Sequence, residues 1–142
     1  MIPTRDKDIL KHLRANARKP MVDIAKDTGI PVSTIFEKLK RNDQKVIKKF
    51  TTILDFPKLG YNIRKKILIN TLEPERLINF LSDHENINSI YKADNGFNLI
   101  LDCIFKQMDA FYDFKSQLQT QPYKDIKILD ITEEVKREEF MN

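Results

Sequence analysis

Beyond Gly60 the chain alternates between apolar periods of two and of three to four, in the order strand, helix, strand, strand, helix, strand. Few folds accept that order. Lys65–Leu72 (KKILINTL) reads as the first strand, and Pro74–His84 as a helix opened by proline with Leu77, Ile78 and Leu81 on one face. Ile87–Ala93 and Phe97–Phe105 flank Asn95-Gly96, the strongest short hairpin signal. Met108–Leu118 carries Met108, Phe111, Phe114 and Leu118 at helical spacing, and Ile126–Glu133 closes the set. The βαββαβ order predicts an antiparallel, ferredoxin-like sheet with both helices on one face. Apolar residues also fall on the opposite side: Ile100 and Ile104 beside Asn98 and Asp102, with Leu68, Leu72, Leu129 and Ile131. Two helices cover only one face of four strands, so this second apolar face predicts a second copy of the chain against it.

The residues before Gly60 follow another rule. Ile9, Leu10, Leu13 and Ala17 sit at helical spacing between Asp8 and about Asn16. A short helix follows over Met21–Thr28, with Met21, Ile24 and Ala25 inward and Gly29 as its stop. A third runs from about Val32 to Asn42, behind Pro31. VIKKFTTILDF then reads as extended chain, rich in β-branched and aromatic residues. The predicted organisation is α+β: a helical unit over 1–50, an extended linker over 51–62 and the βαββαβ unit over 63–142. Charge divides the same way. Residues 1–50 carry 13 Lys and Arg against 6 Asp and Glu, a net +7, whereas 51–142 carry 12 against 15, a net −3. An anionic partner therefore belongs to the helical unit.

Within the third helix, Val32, Ile35, Phe36 and Leu39 read as the inward stripe. Thr34, Glu37, Lys38 and Arg41 share the same spacing on the opposite side, flanked by Ser33 and Lys40. Hydroxyls and cations bind phosphate, and Arg or Lys donates to guanine edges in the major groove. A short helix, a turn through Gly29 and this helix match a helix-turn-helix, whose second helix enters the groove. Ser33, Thr34, Glu37, Lys38, Lys40 and Arg41 are the candidate DNA-binding residues.

Other classes find less support. The apolar runs are far shorter than the ~20 residues of a membrane helix, so no membrane partner is expected. The N-terminal MIPTRDKD has no signal-like apolar region, and the single cysteine, Cys103, fits a reducing cytoplasm. His12 and His84 lie far apart in sequence, and no HExxH, P-loop or GxSxG pattern occurs. No catalysis, cofactor or metal is expected. The sheet strands lack the paired aromatics that stack RNA bases.

The order of motifs over nearly the whole chain resembles the Lrp/AsnC, or feast/famine, transcription regulators. The residues that carry it are Asp8-Ile9-Leu10 with Leu13, Asn16–Arg18, Ile24-Ala25 and Gly29-Ile30. Lys38–Arg41, Val46-Ile47 and Leu59–Tyr61 complete it. The resemblance implies a winged-helix-like DNA-binding unit, a regulatory βαββαβ unit, and self-association through linker and sheet into dimers and higher assemblies. It also implies double-stranded DNA as partner and an amino-acid effector near the hairpin, where Asp94, Asn95, Gly96 and Asn98 stand. The chain departs from the family pattern twice. NDQK at Asn42–Lys45 lacks the leucine and glycine usual before Val-Ile, so the turn there should differ. The hairpin carries Asn-Gly-Phe-Asn in place of an acidic turn, which leaves Asp94 as the one anionic partner for an effector amine. The competing reading is a small-ligand sensor or interaction protein whose helix-turn-helix no longer binds DNA.

Overall fold

The computed structural model describes all 142 residues. They form two compact units, Met1–Ile53 together with Val135–Asn142, and Leu54–Glu134.

The first unit contains α1 (Thr4–Ala15), α2 (Met21–Thr28) and α3 (Val32–Asn42). Each begins directly behind a proline (Pro3, Pro20 or Pro31) in an extended conformation. The proline carbonyl accepts the first helical hydrogen bond, from the amides of Lys7, Ile24 and Ile35 at 3.0–3.1 Å. Proline lacks only a donor that a helix start leaves unused, so it serves as a clean boundary here. Pro3 starts α1 one turn earlier than the apolar spacing suggests. Gly29 ends α2 in the left-handed region at φ 73°, and its amide closes onto the Ala25 carbonyl at 2.8 Å. Ile9, Ile24, Ile30 and Ile35 form the core, with Leu13, Met21, Ala25 and Leu39 packed around them.

One polar group belongs to this interior. Asp6 is 1% exposed, on the α1 row that continues through Ile9, Leu10 and Leu13. Its carboxylate accepts from Lys38 Nζ at 2.5 Å, from Asn42 Nδ2 at 2.8 Å and from Arg41 Nη2 at 3.2 Å. All three donors lie on α3, so a single side chain ties the first helix to the third. The Lys38 and Asn42 bonds, joined by Arg41, outweigh burial and lower the Asp6 pKa to about 2.

The exit from α3 is tight. The Asn42 carbonyl accepts from the amides of Lys45, Val46 and Ile47 at 3.0–3.2 Å, and Asp43 bridges Ile47. Gln44 takes the left-handed conformation at φ 64°, where a β-carbon is strained and glycine is not. The missing glycine of NDQK is thus replaced by a strained glutamine. Beyond it, residues 48–55 run without strand pairing, and Pro57–Leu59 make one 3-10 turn. At the far end of the sequence, Arg14 holds the tail by bonds to Glu138 (2.8 Å) and the Phe140 carbonyl (3.0 Å).

The second unit is an antiparallel sheet in the order β2-β3-β1-β4: β1 is Ile63–Asn70, β2 Ile87–Lys92, β3 Leu99–Phe105 and β4 Asp125–Asp130. The helices α4 (Pro74–Leu81) and α5 (Met108–Leu118) connect its strands. Ile67, Ile69, Leu99, Leu101, Cys103 and Phe105 share the buried core with Leu77, Leu81, Phe111, Phe114 and Leu118. Burial pushes the Cys103 thiol up to about 12, with the Asp102 charge adding to it, so this cysteine is a packing residue.

The outer face has a charged centre. Arg64 grips the buried Asp102 with two bonds, Nε at 2.9 Å and Nη2 at 2.8 Å. Asn88 donates to the same carboxylate at 2.8 Å, and Glu134 takes the remaining Arg64 amine at 2.6 Å. Burial raises the Asp102 pKa, but the Arg64 and Asn88 bonds outweigh it and leave the group below its ordinary value. In register, Ile104 lies opposite Arg64 and Lys66 opposite Asp102, and Leu68, Ile100 and Leu129 follow on the same face, half-buried or exposed. Leu72 is not among them. β1 stops at Asn70 because the Asn98 side chain occupies both backbone groups of Thr71, accepting from its amide at 3.0 Å and donating to its carbonyl at 2.6 Å.

Two outcomes follow for stability. Replacing Gln44 by Gly relieves the left-handed strain and raises the urea midpoint of the full chain, a gain of roughly 0.5 kcal/mol after the entropic cost of glycine. Asp6→Ala leaves Lys38 without its buried partner and lowers the stability reported by helical circular dichroism by about 3 kcal/mol at pH 7. Because the folded pKa lies below the unfolded one, that contribution is complete above about pH 4. Wild type and variant should therefore converge as pH falls from about 4 through 2.

Candidate nucleic-acid interface

Asp6 decides which side of α3 faces outward. Successive helical residues are about 100° apart, so two stripes of equal spacing compete for the core. One is Val32, Ile35, Phe36 and Leu39, all apolar. The other is Ile35, Lys38, Leu39 and Asn42, two of them polar. The structure buries the second: Ile35 and Asn42 are buried, Leu39 is half-buried, and the Lys38 side chain is 16% exposed. Val32 and Phe36, expected inward, are 42% and 51% exposed. The physical reason is the carboxylate on α1, which makes the inward position of Lys38 and Asn42 favourable.

The six candidate residues therefore divide. Ser33, Glu37, Lys40 and Arg41 are exposed, whereas Thr34 and Lys38 are half-buried. Ser33, Thr34, Glu37, Lys38 and Arg41 line one open hollow of ≈ 320 Å³, and Lys40 lies outside it. Arg41 keeps a side chain 55% exposed while one of its amines touches Asp6. It can turn its other donors outward, which Lys38 cannot do without leaving its carboxylate. The surface thus offers a hydroxyl near the helix start and two cations at its end, the donor set that suits phosphates and guanine edges. The burial of Asp6 escaped the sequence reading, although its spacing to Ile9, Leu10 and Leu13 already places it on the inward row of α1.

The hairpin residues divide as well. Asn95 and Gly96 are exposed at φ 70° and 112°, and Asp94 accepts from the Asn95 amide at 2.8 Å. Asn98 is instead committed to Thr71. That threonine is buried and also donates to the Pro122 carbonyl at 2.6 Å, so Asn98 belongs to the joint that closes the sheet. The two histidines have packing roles in their own units. His12 meets Lys19 Nζ at 2.9 Å, and His84 stands edge-on to Phe114 at 4.8 Å. No group of three or more His, Cys, Asp or Glu side chains is arranged to hold a metal ion, and no helix is long and apolar enough to cross a membrane.

Comparison with known proteins agrees with this geometry. Residues 3–41 match a family model described as winged helix-turn-helix DNA-binding. The HTH-type transcriptional regulator FL11 of Pyrococcus furiosus is 30% identical over 112 residues, 77% of this chain and 74% of that protein. The regulator LrpA of Pyrococcus horikoshii is 31% identical over 109 residues, 74% of this chain and 76% of that protein. The crystal structure of a Neisseria meningitidis transcriptional regulator in complex with L-Met has the same fold. It superposes with a TM-score of 0.85 at 17% identity, covering 96% of this chain and 94% of that one. The helix-turn-helix, the sheet order and these relatives together identify the chain as a member of the Lrp/AsnC family of HTH-type transcriptional regulators.

Proposed function

We propose that this chain regulates transcription by binding specific double-stranded DNA sequences as an oligomer, with α3 lying in the major groove. The observation that carries the reading is the exposed side of α3, where Ser33, Glu37, Lys40 and Arg41 stand together on the strongly basic unit. Ser33, Lys40 and Arg41 contact phosphates or base edges. Glu37 accepts from the cytosine amine and disfavours bases that present only acceptors, which tunes base preference. Thr34 contributes from the wall of the hollow, and Lys38 holds the pose through Asp6. Such a protein works in the cytoplasm, beside the chromosome, and has no need of catalysis.

Self-association follows from surfaces that a single copy leaves wet. Leu129 and Tyr91 are exposed on the sheet, and Phe50 and Ile53 are exposed along the linker. Covering them in a dimer would hold two copies of α3 at successive major grooves, about one helical turn apart. An amino-acid effector, suggested by the L-Met bound to the Neisseria relative, would act near Asp94, Asn95 and Gly96 by favouring one assembly state over another. Here the ammonium group would depend on Asp94.

The test is binding of the full-length protein to duplexes drawn from a randomised pool, repeated between about 50 and 200 mM salt. Affinity should fall steeply with salt, because each phosphate contact releases counterions. The Lys40→Ala, Arg41→Ala double variant should bind at least roughly tenfold more weakly, with a salt slope smaller by about one for each phosphate it no longer neutralises. Its sedimentation should match wild type. A protein that enriches no duplex, or binds without salt dependence, would support the ligand-sensor reading instead.

A further inference from the structure

The rotation of α3 imposed by Asp6 brings a large apolar side chain onto the surface proposed to meet DNA. Phe36 is half exposed and lies one turn from Ser33 on one side and from Lys40 on the other. Val32, one turn further toward the helix start, is exposed as well. The core of the unit closes without Phe36, around Ile9, Ile24, Ile30 and Ile35. An exposed phenylalanine between a hydroxyl and an ammonium group needs a partner that is anionic at its edges and apolar at one point. Major-groove DNA has that chemistry. Phosphates line the groove, and the C5-methyl group of thymine is the apolar feature on its floor.

We infer that Phe36 is a specificity-determining residue that reads thymine methyl groups in the target site. The inference rests on the DNA-binding reading above and deepens it. On one side of the outward face, Arg41 offers donors suited to guanine; on the other, Phe36 and Val32 offer apolar contact suited to thymine. Ser33, Glu37 and Lys40 stand between them. The helix therefore favours a site in which a thymine-containing step and a guanine-containing step lie side by side. The competing occupant of Phe36 is a second copy of the chain, which would make the residue part of an interface.

Deoxyuridine distinguishes these cases, because it removes only the methyl group. Full-length wild type and Phe36→Ala are each compared on a duplex enriched from a randomised pool by wild type, with thymidines replaced by deoxyuridine one at a time. For wild type, one or two replacements should weaken binding by about fourfold each, the value of one buried methyl. Phe36→Ala should bind the thymidine and deoxyuridine duplexes equally, with an unchanged salt slope, since all phosphate contacts remain in place. Phe36→Leu, which keeps apolar bulk, should retain part of the discrimination and guards against a folding defect in the alanine variant. Wild type that is indifferent to deoxyuridine overturns the inference while leaving DNA binding intact. Equal discrimination by wild type and Phe36→Ala does the same. A shift of Phe36→Ala to a smaller species in sedimentation would assign the ring to self-association instead. Failure of wild type to enrich any duplex would remove the DNA-binding reading itself.

Discussion

The helical unit turns on the carboxylate of Asp6. A buried acid is costly unless its oxygens are filled, and here the donors come from three positions of one helix, Lys38, Arg41 and Asn42. That arrangement fixes α3 against rotation about its own axis more firmly than apolar packing alone could. Ile35 and Leu39 would tolerate a modest roll toward Val32 and Phe36, since both alternatives are greasy. The ion pair does not, because rolling strands both a carboxylate and an ammonium group. What α3 presents to its surroundings is therefore chosen by a residue at the start of α1, more than thirty positions earlier in sequence.

This arrangement also explains what could be read from the sequence. The bounds of α2, α3 and α5 were legible, because proline or glycine marks the edges of the first two and α5 carries a single strong apolar face. The succession of strands and helices in the second unit followed from alternation and the Asn-Gly turn. The phase of α3 was not legible. Two stripes of identical spacing compete there, and hydrophobicity favours the one the structure rejects. Choosing correctly requires knowing that Asp6 lies opposite, a contact across thirty-two residues that no local pattern carries. The outward face accordingly differs from the one the sequence suggests: Lys38 is turned inward, and Phe36 stands where an inward residue was expected.

The end of β1 was misread for a related reason. KKILINTL reads as one strand by propensity, yet the amide of Asn98 replaces the ladder at Thr71 and leaves Leu72 in solvent. Side-chain amides can imitate backbone partners, and single-sequence periodicity has no means of detecting that substitution. At Gln44 the sequence did carry a hint. The absent glycine marked an altered turn, and the backbone responds by straining a glutamine while one carbonyl, that of Asn42, gathers three amides.

The Arg64–Asp102 pair has an implication for any surface laid over the sheet. Charges at the centre of an interface usually oppose association, because covering them strips water from ions that then interact imperfectly. Here the stripping is already done within one chain. Asp102 is dehydrated in the isolated protomer and holds three hydrogen bonds from Arg64 and Asn88, while Glu134 neutralises the far side of the guanidinium. The approaching surface meets an ion pair already satisfied, with Lys66 and Lys127 beside it on the same face. Encounters across it are therefore shaped by the aliphatic side chains of Leu68, Ile100 and Leu129, and any dependence on ionic strength comes from Lys66 and Lys127, not from the buried pair.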